Sequence, residues 1–179
     1  MGSWLALARG IDALNQAVGR GVSWLVLAAT LVSAGNAVVR YGLGLSSNAW
    51  LELQWYLFAL VFLLGAGYTL KHDGHVRVDA LHGRFSPNTR AWIDLLGGLF
   101  FLLPVAGLIG WLGWGVFLNA WAAGESSPDA GGLLRWPIRL AVPVGFGLLF
   151  LQGVSEIVKR IAFLAGHLAQ EGERAEEGA

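Results

Sequence analysis

Residues 95–124 read LLGGLFFLLPVAGLIGWLGWGVFLNAWAAG, thirty consecutive positions without a formal charge. A helix advances about 1.5 Å per residue and the hydrocarbon layer of a bilayer is about 30 Å thick, so about 20 such residues are enough to cross it. Three more uncharged runs accompany this one. Nineteen residues separate Arg20 from Arg40, eighteen separate Glu52 from Lys71, and sixteen separate Arg139 from Glu156. Hydrocarbon offers a backbone amide no partner outside its own segment, which makes helices the expected form. A soluble helical protein would carry about 25% charged residues and a polar stripe on most helices. Here the charged fraction is 13% and the mean hydropathy is +0.58. The expected fold class is all-α integral membrane, a single domain over residues 1–179 with transmembrane helices at 21–41, 50–70, 88–121 and 137–158.

The flanks add detail. Trp4, Leu7, Ile11, Leu14 and Val18 recur at helical spacing, with Arg9, Asp12, Asn15, Gln16 and Arg20 on the other side. This pattern predicts an amphipathic interfacial helix over 4–19, lying among the lipid headgroups. Arg9 and Asp12 interrupt the apolar pattern too early for a cleavable signal peptide. Residues 170–179, rich in Glu, read as a disordered acidic tail. The N-terminal segment, the second loop and the C-terminal segment together hold nine Lys or Arg, while loops one and three hold three. Basic residues are retained in the cytoplasm, so both termini are expected there.

Packing and capping signals lie within this frame. Ala29, Ser33 and Ala37 form a ladder of small residues in span one, and Ala106 with Gly110 forms a small-xxx-small pair in span three. Pro104 is expected to kink span three, and Ser86-Pro87 reads as its cap and first helical residue. Asn36 near the outer end of span one calls for a partner on another helix or for a hydrated helix end. Glu52 sits near the start of span two, where the helix dipole favours a carboxylate. A proton or sodium site would need a second polar residue deep in the bilayer, so an interfacial or structural carboxylate is preferred. Gln152 and Glu156 lie toward the inner end of span four.

Most chemistry is excluded. The chain has no cysteine, and His72, His75, His82 and His167 all fall outside the spans, which removes axial haem ligands. His72, His75, Asp79 and His82 would share one helical face, but Gly74 in a turn interrupts it, so no metal centre is expected. Hydrolase elbows, zinc-protease signatures and phosphate loops are missing. Neither an enzyme, a cofactor nor a nucleic-acid partner is expected. The absence of an internal repeat argues against a self-sufficient transporter of two inverted halves. What remains is a scaffold or accessory subunit surrounded by membrane lipids and completed by another protein.

The run WLELQWYLFALVFLLGAGYTLKHDGHVRVD at 50–79 resembles the small membrane subunit of tripartite ATP-independent periplasmic (TRAP) transporters, the DctQ-like family. The elements carrying the resemblance are Asn36 with Arg40-Tyr41, then Trp50 and Glu52, Gly65, the segment His75-Val76-Arg77-Val78-Asp79, the Trp121/Glu125 loop and Pro143. Many relatives have two adjacent acids where this chain has Glu52-Leu53. The resemblance implies a bacterial inner-membrane subunit paired with a large, DctM-like membrane subunit. A periplasmic substrate-binding protein would deliver an organic acid for sodium-coupled uptake. Arg77 and Asp79, in a compact charged turn beside span two, are expected to serve docking or loop geometry with no catalytic role. The third loop, around Ser127, is the segment expected to approach that binding protein. Two other readings stand beside it: the membrane anchor of a respiratory oxidoreductase, and a self-contained channel or exporter.

Overall fold

The computed structural model describes residues 2–45, 47–74 and 85–166. Four helices account for nearly all of them: α1 (Gly2–Leu43), α2 (Asn48–Lys71), α3 (Pro87–Ala122) and α4 (Trp136–Leu164). Each is long and apolar enough to cross a membrane. The protein is an all-α integral membrane protein. His75, Arg77, Asp79, His82, His167 and the tail over 170–179 lie outside the described residues.

α4 is the hub, packing on α1, α2 and α3, whereas α3 makes no substantial contact with α1 or α2 among the described residues. The arrangement is a triangle of α1, α2 and α4 with α3 laid against the outside of α4. Burial follows this layout: 33% of the most apolar window of α4 is buried, against 6% of that of α3. The large side chains of α3, Phe100, Phe101, Trp111 and Trp114 among them, face outward. An apolar surface of this kind suits hydrocarbon or another apolar helix.

Small residues set how closely the triangle closes. A Cβ built on Gly145 of α4 would lie 2.6 Å from the carbonyl oxygen of Leu63 in α2, so the two backbones meet where only glycine fits. Gly67 of α2 leaves room for the Asn15 amide of α1. Of the predicted ladder in α1, Ala29 is buried and Ala37 is exposed, because the last turns of α1 run past the bundle. Ala106 is buried and Gly110 faces Phe146 and Pro143, so the small pair of α3 does pack against α4.

One local expectation needs correction. Residues 4–19 are not a separate interfacial helix, because α1 runs unbroken from Gly2 to Leu43 with no proline and no break at Arg20-Gly21. Its polar side turns inward, burying Asn15 and half-burying Asp12 and Gln16, while Trp4, Leu7 and Leu14 are exposed. The physical reason is that α2 and α4 supply partners for those polar groups. In α3, the ladder shifts to a π-helical turn at Gly98–Leu102, with the Leu103 amide donating to the Gly98 carbonyl, immediately before Pro104. The wider turn lets the helix continue through a residue that has no amide hydrogen to donate. Ser86 caps α3 as the sequence suggests, its hydroxyl accepting from the Thr89 amide at 3.3 Å with Pro87 first in the helix. α4 continues six residues beyond 158, to Leu164.

Replacing Gly145 by Val should destabilise the bundle by about 1–3 kcal/mol through overpacking. The same change at Gly115, which has nothing within 4 Å of its would-be Cβ, should leave stability nearly unchanged. Reversible unfolding in detergent micelles measures the difference.

Candidate functional site: two polar clamps

The first clamp joins the start of α2 to the loop between α3 and α4. Glu52, Trp55 and Tyr56, with Asn48 one turn earlier, present one face of α2 to residues 126–135. Glu52 is only 4% exposed. Its Oε2 accepts from the Leu133 amide at 2.6 Å, while its Oε1 accepts from the Ser127 hydroxyl and from Arg135 Nη2 at 3.4 Å. Arg135 also lies over the Trp55 ring, 5.2 Å from its centroid, a cation–π arrangement. The Tyr56 hydroxyl donates to the Leu134 carbonyl at 2.8 Å, and Asn48 Nδ2 donates to the Ala130 carbonyl at 3.0 Å.

The loop is shaped to receive these groups. Ser127 donates its amide to Leu133, Ser126 bridges Leu134 in antiparallel fashion, and Gly131 takes a positive φ of 72°. A Cβ on the following Gly132 would lie 2.9 Å from Glu52 Oε2, so glycine is what admits the carboxylate. Glu125 pairs with Arg139, and its carbonyl accepts from the Arg135 amide at 2.8 Å, fastening the loop to the first turn of α4. Glu52 thus works across to the loop rather than at the dipole of its own helix, being five residues into α2.

The second clamp lies at the other end of the bundle. The Asp12 carboxylate of α1 accepts from Gln152 Nε2 at 2.8 Å, from the Ser155 hydroxyl at 2.7 Å and from Lys159 Nζ at 3.1 Å, all on α4. Lys159 also reaches Glu156 at 2.6 Å. Lys71 closes the set from α2, donating to the Asp12 carbonyl at 3.2 Å and to Gln16 Oε1 at 2.8 Å. Gln152 and Ser155 are fully buried. Asn15, 1% exposed, donates to the Leu148 carbonyl across the α1–α4 contact. Among the described residues, Asn15 Oδ1 and Gln152 Oε1 are buried acceptors with no donor. Asp94 of α3 pairs with Arg160 of α4 at 3.1 Å at this same end.

Of the residues singled out in the sequence, the structure draws Glu52 and Glu125 into one clamp. Asn36 and Trp50 line a cleft between α1 and α2, and Gly65 faces Val22 of α1. Arg40 and Tyr41 project from the end of α1, Tyr41 with 85% of its surface exposed. Ser127 turns inward, while Ser126, Pro128, Asp129, Ala130, Gly131 and Leu134 are exposed on the loop. The second clamp is not among the residues singled out as site candidates. Its signal is present in retrospect: Asp12, Asn15 and Gln16 share one helical face, and Gln152, Ser155, Glu156 and Lys159 share another. No group of three or more His, Asp or Glu among the described residues could hold a metal ion.

A bundle of four apolar helices, tied at each end by polar contacts between helices, defines a multi-pass membrane protein whose charged groups hold helices together. Residues 15–163 match the family described as "Tripartite ATP-independent periplasmic transporters, DctQ component". The chain belongs to this family, and so is a transporter subunit and not an enzyme. It is 33% identical over 135 residues to the C4-dicarboxylate TRAP transporter small permease protein DctQ of Pseudomonas aeruginosa, covering 74% of this chain and 62% of that one. It is 35% identical over 107 residues to the protein of the same name from Rhodobacter capsulatus, covering 56% of this chain and 45% of that one. The chain therefore spans about half to three-fifths of the length of the curated relatives it matches. No solved structure matches it.

Each clamp yields a test. Glu52→Ala leaves the Leu133 amide and the Ser127 hydroxyl without their acceptor, a loss of about 1–3 kcal/mol. Amide exchange at Leu133 should accelerate by about ten- to a hundredfold in hydrogen-exchange mass spectrometry, while exchange in the middle of α4 stays unchanged. For the second clamp, a double-mutant cycle on Asp12→Ala and Lys159→Ala should give a coupling of about 0.5–3 kcal/mol, as groups in one hydrogen-bonded network do. Unfolding midpoints of the four proteins measure it.

Proposed function

We propose that this chain is the small permease subunit that braces the scaffold of a large, DctM-like membrane subunit during binding-protein-dependent, sodium-coupled uptake of an organic acid. The observation that carries the reading is the family match over residues 15–163, laid on a bundle in which the buried Glu52 and half-buried Asp12 carboxylates are both engaged by donors from other segments. A body of this kind supplies shape and stiffness. Cargo and coupling ion belong to the partner. The names of the two relatives support a C4-dicarboxylate as the kind of acid carried.

The bias of nine basic residues against three supports an inner-membrane topology with both termini in the cytoplasm. In that orientation the Glu52 clamp faces the periplasm, and the rigid loop presents Pro128 and Asp129 toward the binding protein. Asn36, Arg40, Tyr41, Trp50 and Gly65 then belong to packing and membrane contacts, while His75, Arg77 and Asp79 serve docking at the cytoplasmic surface.

Deletion of the chain should abolish sodium-dependent organic-acid uptake, and an affinity tag on it should recover the large membrane subunit from detergent extracts. Radiolabelled uptake in the deletion strain, with and without the gene restored, measures the first. Wild-type uptake in a verified deletion strain would overturn the reading.

A further inference from the structure

Neither clamp uses the cleft between the last turns of α1 and the first turn of α2. It is a half-open cleft of about 220 Å³ lined by Asn36, Val39, Leu45, Ser47 and Trp50. Its depth follows from the way α1 pairs with α2. Lys71 bonds Gln16 and Gly65 faces Val22, so that further along the pair Asn36 comes level with Trp50, two residues from Glu52. Glu52 and Lys71 are nineteen residues apart on one helix, about 28 Å at about 1.5 Å per residue, which matches the hydrocarbon thickness. The cleft therefore stands where headgroups meet acyl chains.

Its walls divide by chemistry. Val39, Leu45 and the Trp50 ring are apolar. The Asn36 amide and the Ser47 hydroxyl are donors, and neither is engaged by the described residues; Ser47 caps α2 in position without a side-chain cap bond. Arg40 stands one turn beyond Asn36 on the same face of α1, exposed and without an acidic partner among the described residues. The other two arginines of this end, Arg135 and Arg139, are both paired.

We propose that the cleft holds an anionic phospholipid. Its phosphate pairs with Arg40 and takes a hydrogen bond from Ser47, its glycerol ester meets the Asn36 amide one turn deeper, and an acyl chain continues past Trp50 toward the bilayer centre. A soluble anion would match the donors but leave the apolar wall facing water. A phospholipid answers both halves of the cleft at this depth. The inference stands apart from the transporter reading, since it needs only the membrane depth and the cleft.

The cysteine-free chain allows a direct test. Leu45→Cys is labelled with a fluorophore in the full-length protein, reconstituted in phosphatidylcholine, and titrated with nitroxide-bearing phosphatidylglycerol or phosphatidylcholine of the same chains. Quenching should favour phosphatidylglycerol by about fivefold in affinity, the factor that one Arg beside an anionic headgroup supplies. The preference should vanish in Asn36→Leu/Arg40→Gln and persist in Arg40→Lys, which keeps the charge. A label at Leu108 on the outer face of α3 should show no headgroup preference. Equal quenching by the two lipids at Leu45, or an undiminished preference in the double variant, would overturn the proposal. So would displacement by millimolar inorganic phosphate, which marks a soluble-anion site, or crosslinking of a Leu45 probe to a protein in native membranes, which marks a protein-filled cleft.

Discussion

A layer without water penalises polar groups that lack a partner, and this bundle gathers its principal polar contacts between helices toward two levels. The Glu52 and Lys71 positions that mark those levels are separated by about the thickness of the hydrocarbon. Between the levels, close approach is achieved by shape instead, at Gly145 against Leu63 and at Gly67 beneath Asn15. The two modes are complementary. Hydrogen-bonded carboxylates give each end a defined geometry, and glycine contacts bring the helices near enough for dispersion to act along their length.

The layout makes α4 the member on which the others depend. It carries Gln152, Ser155 and Lys159 toward α1, Gly145 toward α2, and Gly153 toward the π-helical turn of α3. Among the described residues α3 packs chiefly on α4 and shows most of its aromatic surface to the outside. A chain built so asymmetrically has one well-knit side and one side left open. That suits the proposed role as a brace within a larger assembly.

Much of the fold was legible because the signals were physical and local. The uncharged runs locate four helices since a membrane-crossing helix needs a minimum apolar length, and Ser86-Pro87 marks a helix start since the hydroxyl satisfies an amide that the helix leaves free. The second clamp was not legible as such. Asp12 and Asn15 read as the water-facing side of an amphipathic helix, because periodicity reports which residues share a face and not what that face meets. Gln152 was visible near the inner end of α4, but pairing it with Asp12 requires knowing that residues 140 positions apart lie side by side. Glu52 was visible as a carboxylate at the edge of the membrane. Its engagement by Leu133 and Ser127 depends on the fold of a loop held by Gly131 and Gly132, which carries no periodic signature.

One consequence lies in the unbroken α1. Forty-two residues make a rod of about 63 Å, roughly twice the hydrocarbon span, with no proline to act as a joint. Such a strut meets a thicker or thinner bilayer by leaning as a whole, so inclination at one face reappears at the other. The two ends of α1, more than a full membrane thickness apart, are mechanically one piece.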